Sequence, residues 1–286
     1  MRELAWINGK TMALADACIP LEDRGFFFGD GIYEVCRIYE AKPFYLQEHL
    51  QRLQDSAAEI LLALPFSSAE LANIALDLIR EADCREGWLY LQVTRGTAPR
   101  THAFPPAHVK PTLVLFVRPI TPDRVGDTAG GAACITIPDT RWLHCNVKTI
   151  NLLPNLLAKE KAKQAGAYDA IFYRPGGVIS EASASNIFAL IDGTVRTHPL
   201  SNLILPGITR RVVLKIMERL SLDYDERAFT VDELKVATEV WLTASVSEIV
   251  PVTSVDGKPV GDGAPGELVK RLIEEYGKVV RQYCRD

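Results

Sequence analysis

Lys148 lies in Arg141-Trp-Leu-His-Cys-Asn-Val-Lys-Thr-Ile-Asn-Leu-Leu153, between an apolar strand-like run and an apolar helical one. Desolvation beside Val147 and Ile150 disfavours an ammonium, so a lysine here can act as a nucleophilic amine suited to a Schiff base. The same pattern also fits a surface lysine whose stem packs on apolar neighbours. Gly207-Ile-Thr-Arg210 opens a helix after a turn. Its first N–H groups and the Thr209 hydroxyl suit a phosphate, although an ordinary capped helix has the same look. Glu181, in Ile179-Ser-Glu-Ala-Ser-Ala-Ser-Asn-Ile-Phe188, is either a turn acid facing solvent or the partner of a buried cation such as a pyridinium nitrogen. Thr243-Ala-Ser-Val-Ser-Glu-Ile249 offers hydroxyl donors to an anion or forms a plain polar loop. Arg95-Gly-Thr-Ala-Pro-Arg-Thr-His102 places Arg100 and His102 two apart, a spacing that can grip a carboxylate or belong to a solvated loop.

Other chemistries have no support. The net charge is −4 and no basic stripe stands out, which argues against nucleic acid as a partner. There is no G-x-G-x-x-G after a strand, no P-loop, no H-E-x-x-H and no G-x-S-x-G. The five histidines, at 49, 102, 108, 144 and 198, lack metal-ligand spacing, so no metal is expected. None of the six cysteines forms a C-x-x-C pair, and free buried thiols are expected. No apolar run approaches the ~20 residues of a membrane helix, and the first ten residues lack a signal-peptide pattern. A reduced, cytoplasmic protein without membrane attachment is the expectation.

Periodicity places these residues on elements. Asn8-Gly9 marks a hairpin, Ile32 to Tyr39 reads as a strand, and Leu46 to Leu62 as a helix. Ser67-x-x-Glu70 is a capping box for a second helix. Gly87 to Thr94 and Thr112 to Val117 read as strands. Pro-punctuated sequence after Arg118 marks a linker. Beyond it come a strand at Ala132 to Ile137, an amphipathic helix from Leu152 to Gln164 closed by Gly166, and strands at Asp169 to Tyr173 and Asn186 to Ile191. A hairpin at Asp192-Gly193 follows, then a helix from Gly207 to Leu220, strands at Val240 to Thr243 and Ile249 to Val252, and a last helix from Glu267 to Tyr283. The absence of strict βαβ alternation disfavours a doubly wound fold. The expected organisation is a small N-terminal α+β domain over 1–121, an interdomain loop over 122–132 and a large C-terminal domain over 133–286.

These pieces, in this order, resemble the class IV (fold-type IV) pyridoxal-phosphate aminotransferases, and among them the D-amino acid aminotransferases. The matching text includes Glu22 to Val35, Leu91 to His102, Arg141 to Leu153, Glu181 to Phe188, Thr197 to Pro199, Ile204 to Arg210 and Thr243 to Pro251. The resemblance spans almost the whole chain. It implies an α+β fold of two domains, a smaller N-terminal α/β sandwich and a larger β-barrel-like domain with flanking helices that binds pyridoxal 5'-phosphate. It implies that Lys148 carries the cofactor covalently and shuttles a proton, and that Glu181 lies beside the pyridine nitrogen. Arg52 matches a phosphate-binding arginine. Leu205, Ile208, Thr209 and Ser245 match positions around ring and phosphate; the family often has threonine where Ser245 stands. Tyr33 matches an active-site tyrosine. Arg100 and His102 match the substrate-carboxylate grip, and a homodimer with shared sites is implied, Tyr33, Arg100 and His102 crossing the interface. The implied reaction is ping-pong transamination between D-amino acids and 2-oxo acids. Branched-chain L-amino acid aminotransferases, (R)-amine transaminases and 4-amino-4-deoxychorismate lyases share the fold, and Arg100-Thr101-His102 argues for the D-specific relatives. A PLP-binding module without turnover is disfavoured by the complete set of Lys148, Glu181 and Arg100.

Overall fold

Asn8 and Gly9 both take positive φ (44° and 96°), the backbone with which two residues reverse a right-twisted strand. β1 (Leu4–Ile7) and β2 (Lys10–Ala13) therefore pair with Ile7 opposite Lys10. The computed structural model describes residues 1–120 and 130–285. Of the loop expected over 122–132, residues 122–129 lie outside the described residues. The chain divides into two compact units. One comprises Met1–Ile120, Val147–Asn151 and Tyr283–Asp286, the other Thr121–Asn146 and Leu152–Gln282. Sequence order put Lys148 in the C-terminal half, but the segment around it packs with the first unit. Val147 joins that unit's apolar core, and the Ile150 N–H donates to Gly31 O at 3.1 Å.

The first unit continues with α1 (Arg24–Phe28), β3 (Gly31–Tyr39), β4 (Lys42–Pro43), α2 (Leu46–Glu59), α3 (Ser68–Glu81), β5 (Gly87–Thr94) and β6 (Thr112–Pro119). Its six strands form an antiparallel sheet in the order β2-β1-β6-β5-β3-β4. Alternation sends Leu89, Leu91, Leu113 and Leu115 inward, where they meet Leu50 and Leu53 of α2 and Leu71 and Leu78 of α3. On the opposite face Tyr33, Tyr90 and Phe116 stack in a row, their ring centroids 5.6 and 4.7 Å apart. The capping box at α3 is formed: the Ser67 N–H donates to the Glu70 carboxylate at 2.8 Å, and Ser67 Oγ accepts from the Glu70 N–H at 3.2 Å.

In the second unit β7 (Ala132–Pro138), α4 (Leu153–Gln164) and β8 (Asp169–Arg174) make one parallel crossover. There follow β9 (Val178–Ala182), β10 (Asn186–Ile191), β11 (Thr194–Thr197), α5 (Ile208–Arg219), β12 (Tyr224–Asp225) and α6 (Val231–Lys235). β13 (Glu239–Ala244), β14 (Glu248–Val255), β15 (Lys258–Pro259) and α7 (Glu267–Arg285) complete the described chain. The main path of the nine-stranded sheet is β12-β11-β10-β13-β14-β7-β8-β9, with β15 on β14, and the sheet curls into a half-barrel. Asp192 and Gly193 take positive φ at the β10–β11 hairpin. Sequence patterning missed β9, so Glu181 sits on a strand and not in a turn. It also misjudged α4, whose buried residues are Ala158 and Ala162, packed on Ala170 and Phe172, while Leu153, Leu156 and Leu157 are exposed. The small side chains let the helix lie close to β8. The six cysteines are unpaired, and Cys18 is exposed, against expectation; the other five are buried. Among the described residues no helix is long and apolar enough to cross a membrane.

Candidate active site

In the first unit the start of β3 holds the lysine. The Tyr33 N–H donates to Lys148 O at 2.9 Å, and the Lys148 N–H donates to Ser56 Oγ of α2 at 3.1 Å. With its backbone pinned on two sides, half-buried Lys148 places Nζ 4.4 Å from the centroid of the Tyr33 ring. Among the described residues no carboxylate pairs with this amine. Tyr33 thus reaches the lysine of its own chain, and its place there needs no partner subunit, contrary to the sequence expectation.

The residue after Tyr33 faces the helices. Glu34 accepts Nε of Arg52 at Oε1 and Nη2 of Arg52 at Oε2, both at 2.7 Å, and meets His49 Nδ1 at 2.7 Å. His49 and Arg52 lie one turn apart on α2, so one face delivers both. Burial by itself raises the Glu34 carboxyl, but the charge and hydrogen bonds of Arg52 and His49 overcome it and hold the group at about 2. Burial lowers His49 below its ordinary value. The proposed phosphate ligand Arg52 is therefore anchored from below by a carboxylate. Arg100 and His102 lie on the exposed loop between β5 and β6, both against Phe28: the Arg100 guanidinium is 5.0 Å from the ring centroid and the His102 ring 5.8 Å.

The second unit holds the acid. Glu181 on β9 is buried; its Oε1 accepts Arg141 Nη1 at 2.6 Å, and its Oε2 accepts Asn186 Nδ2 at 3.1 Å and the Leu205 N–H at 3.0 Å. Arg141 is shared. Asp139 accepts its N–H, Nε and Nη2 at 2.9–3.0 Å, and also takes the Ser180 hydroxyl at 3.0 Å and Arg174 Nη2 at 3.1 Å. Burial raises the Glu181 carboxyl by more than Arg141 and the Leu205 N–H lower it, and the Asp139 charge adds to the rise. The carboxylate thus retains a demand for positive charge.

Near it, α5 begins at Gly207, which makes no side-chain cap. A Cβ on Gly207 would fall 2.0 Å from Asn186 Oδ1, so only glycine lets the helix start against Asn186. Ile208 and Thr209, in the first turn, are buried, and Ser245 is half-buried in the β13–β14 turn. Thr243, opposite Asn186 in the β10–β13 pairing, has a buried hydroxyl with no partner among the described residues. Uncapped N–H groups and hydroxyls are anion chemistry.

A family model described as amino-transferase class IV matches residues 31–255, a span that contains Lys148, Glu181 and Thr209. The chain belongs to the class IV aminotransferases. It is 44% identical to a D-alanine aminotransferase of Bacillus licheniformis over 93% of each chain. It is 41% identical to a D-alanine aminotransferase of Staphylococcus haemolyticus over 96% of this chain and 97% of that one. Among solved structures, the branched-chain amino acid aminotransferase of Escherichia coli superposes with TM-score 0.89 at 26% identity, covering 97% of this chain and 94% of that one. A T.th. branched-chain amino acid aminotransferase, solved with pyridoxamine 5'-phosphate, also superposes at 0.89 and 26%, covering 98% and 94%.

Class IV aminotransferases depend on pyridoxal phosphate, and the donors of this class IV aminotransferase fit that molecule part by part. The unpaired Lys148 amine suits an aldehyde carbon. The raised Glu181 carboxyl suits a ring-nitrogen cation, and the uncapped start of α5 with the orphaned Thr243 hydroxyl suits a phosphate. Sequence reasoning gave no role to Glu34, His49, Ser56, Asp139, Arg141 or Asn186. Glu34 was within reach: it shares the inward face of β3 with Ile32, Cys36 and Ile38, and a charge there needs a partner. Arg141 and Asn186 stood inside the recognised motifs, but only the folded strands bring them to Glu181.

Proposed function

We propose that this protein transfers amino groups between D-amino acids and 2-oxo acids in a ping-pong cycle with pyridoxal 5'-phosphate. The carrying observation is similarity at 44% identity over nearly the whole chain to a D-alanine aminotransferase. The branched-chain structures share the fold at 26% identity. Lys148 would hold the cofactor covalently, and its amine, when free, would take and return the substrate Cα proton. The bound cofactor supplies an electron sink for the electrons that this proton leaves behind. Glu181, held by Arg141, Asn186 and the Leu205 N–H, would favour a proton on the ring nitrogen, and Leu205 and Ile208 would border the ring. Thr209, Ser245, the first N–H groups of α5 and Arg52 bind the phosphate. Tyr33 orients the Lys148 amine. Arg100 and His102 hold the substrate carboxylate, which fixes the Cα face presented to Lys148.

The active unit is a cytoplasmic homodimer in which each chain lends Arg100 and His102 to its partner's site. Their exposure and the exposed leucines of α4 support an assembly beyond one chain. Subunit mixing tests the whole assignment. Lys148→Ala should have no turnover, and Arg100→Ala little at low D-alanine. Dissociated and re-mixed, or co-expressed, the pair should recover activity from the one whole site. Recovery of none, or turnover by Lys148→Ala alone, contradicts the assignment.

A further inference from the structure

The loop that carries Arg100 and His102 runs from Arg95 to Pro111 without regular structure, yet it is tied down from one side. Arg24, at the start of α1 and 3% exposed, donates from Nη1 to Thr101 O at 2.8 Å and to Ala103 O at 3.3 Å, the two carbonyls that flank His102. Its Nε donates to Asp30 at 2.8 Å. Asp30 also accepts Arg95 Nε at 3.0 Å, and the other nitrogens of Arg95 donate to Ile60 O and Leu61 O past the end of α2. One turn on from Arg24, Phe28 presents the ring against which Arg24, Arg100 and His102 all lie, at 4.8, 5.0 and 5.8 Å. Asp23, just before α1, accepts both the Thr94 and Thr112 hydroxyls, which fixes α1 to the two strands where the loop begins and ends.

We propose that Arg24 and Phe28 are positioning residues that set substrate-carboxylate specificity by holding Arg100 and His102 in place. A long irregular loop gains little from a buried guanidinium aimed at two of its carbonyls, carried by a helix itself fixed to the strands at either end of the loop, unless its side chains need a fixed position. Arg24 itself is turned to carbonyls and Asp30, so it acts through the loop and not on the substrate. The inference rests on the reading of Arg100 and His102 as the carboxylate grip.

The test is a double-mutant cycle on the holoenzyme with D-alanine and 2-oxoglutarate, joined to hydrogen exchange of the loop. Arg24→Met should raise the D-alanine KM about 10- to 100-fold with kcat little changed. Adding Arg24→Met to Arg100→Ala should cost far less than Arg24→Met alone, because both act through one grip. Phe28→Tyr should restore what Phe28→Leu loses. Amides at 98–104 should exchange faster in Arg24→Met while those of β3 and β5 stay protected, a readout independent of any substrate. An unchanged KM in Arg24→Met beside a raised one in Arg100→Ala overturns this inference alone. Unchanged KM in both overturns the grip itself, and this inference with it. Additive effects, or unchanged loop exchange, also overturn it.

Discussion

Glu34 and Glu181 are each buried against an arginine, yet one carboxyl is driven down to about 2 and the other is pushed up. Burial raises both. Glu34 meets a full fork from Arg52 plus His49, so its two oxygens are charge-matched. Glu181 receives one nitrogen of an arginine whose remaining donors serve Asp139, and Asp139 is itself a nearby negative charge. The difference separates a finished ion pair that builds a wall from an unfinished one that can take a further cation. A ring nitrogen protonated beside Glu181 would complete the second pair; nothing further is needed at the first.

The two carboxylates should differ most in turnover. Glu181→Gln keeps size and removes charge, and turnover should fall about 10²–10⁴-fold while the fold holds, since Arg141 keeps Asp139. Normal turnover with full cofactor binding would give the ring nitrogen to another group. Glu34→Gln should do the reverse in kind. It strips the charge that Arg52 forks and should cost about 3–5 kcal/mol of stability in denaturant melts, the scale for breaking a buried pair. A loss below about 1 kcal/mol would make the two carboxylates equivalent.

A smaller effect lies in pH. The folded Glu34 value lies below the unfolded one, so its contribution is complete above about 4.5 and disappears as pH falls toward about 2. His49 is also lowered by burial, so the unfolded chain takes its proton first, and stability falls below about 6.5 as well. Glu181 has the opposite sign: its folded value is raised, and its contribution is lost as pH rises through that value. The Glu34 and His49 contributions should therefore decline between about pH 6.5 and about 2, and in Glu34→Gln the loss of stability below about 4.5 should be smaller than in wild type by on the order of 3 kcal/mol. Equal acid slopes in the two proteins would contradict the finished pair.

The elements with strong periodicity were legible in the sequence, including the Asn8-Gly9 and Asp192-Gly193 hairpins, the capping box at Ser67 and the helix that opens at Gly207. Five-residue α1 and α6 and strand β9 were not, because a segment that short shows no period. The leucines of α4 misled for another reason, since hydrophobicity says which side chains seek cover and not which helix face meets β8. At the candidate site, Lys148, Glu181 and Thr209 could be singled out from sequence because their motifs are local. The Glu34–His49–Arg52 and Asp139–Arg141–Glu181 networks join residues far apart in the chain, 40 positions in the case of Arg141 and Glu181, and a partner at that distance is fixed by strand register. No local spacing carries it.

Transamination of D-amino acids is a question of handedness at Cα. On the proposed reading Lys148 would take the Cα proton only from the face that its amine reaches, so a carboxylate held at Arg100 and His102 would admit one enantiomer. The other would leave that carboxylate grip unmade, which makes discrimination of about 10² or more the expected scale. D-alanine and L-alanine should be supplied separately with 2-oxoglutarate and pyruvate formation measured. Turnover with D-alanine should be at least about 10²-fold above that with L-alanine; faster turnover of L-alanine, or of L-leucine, would rule out D-specific transamination.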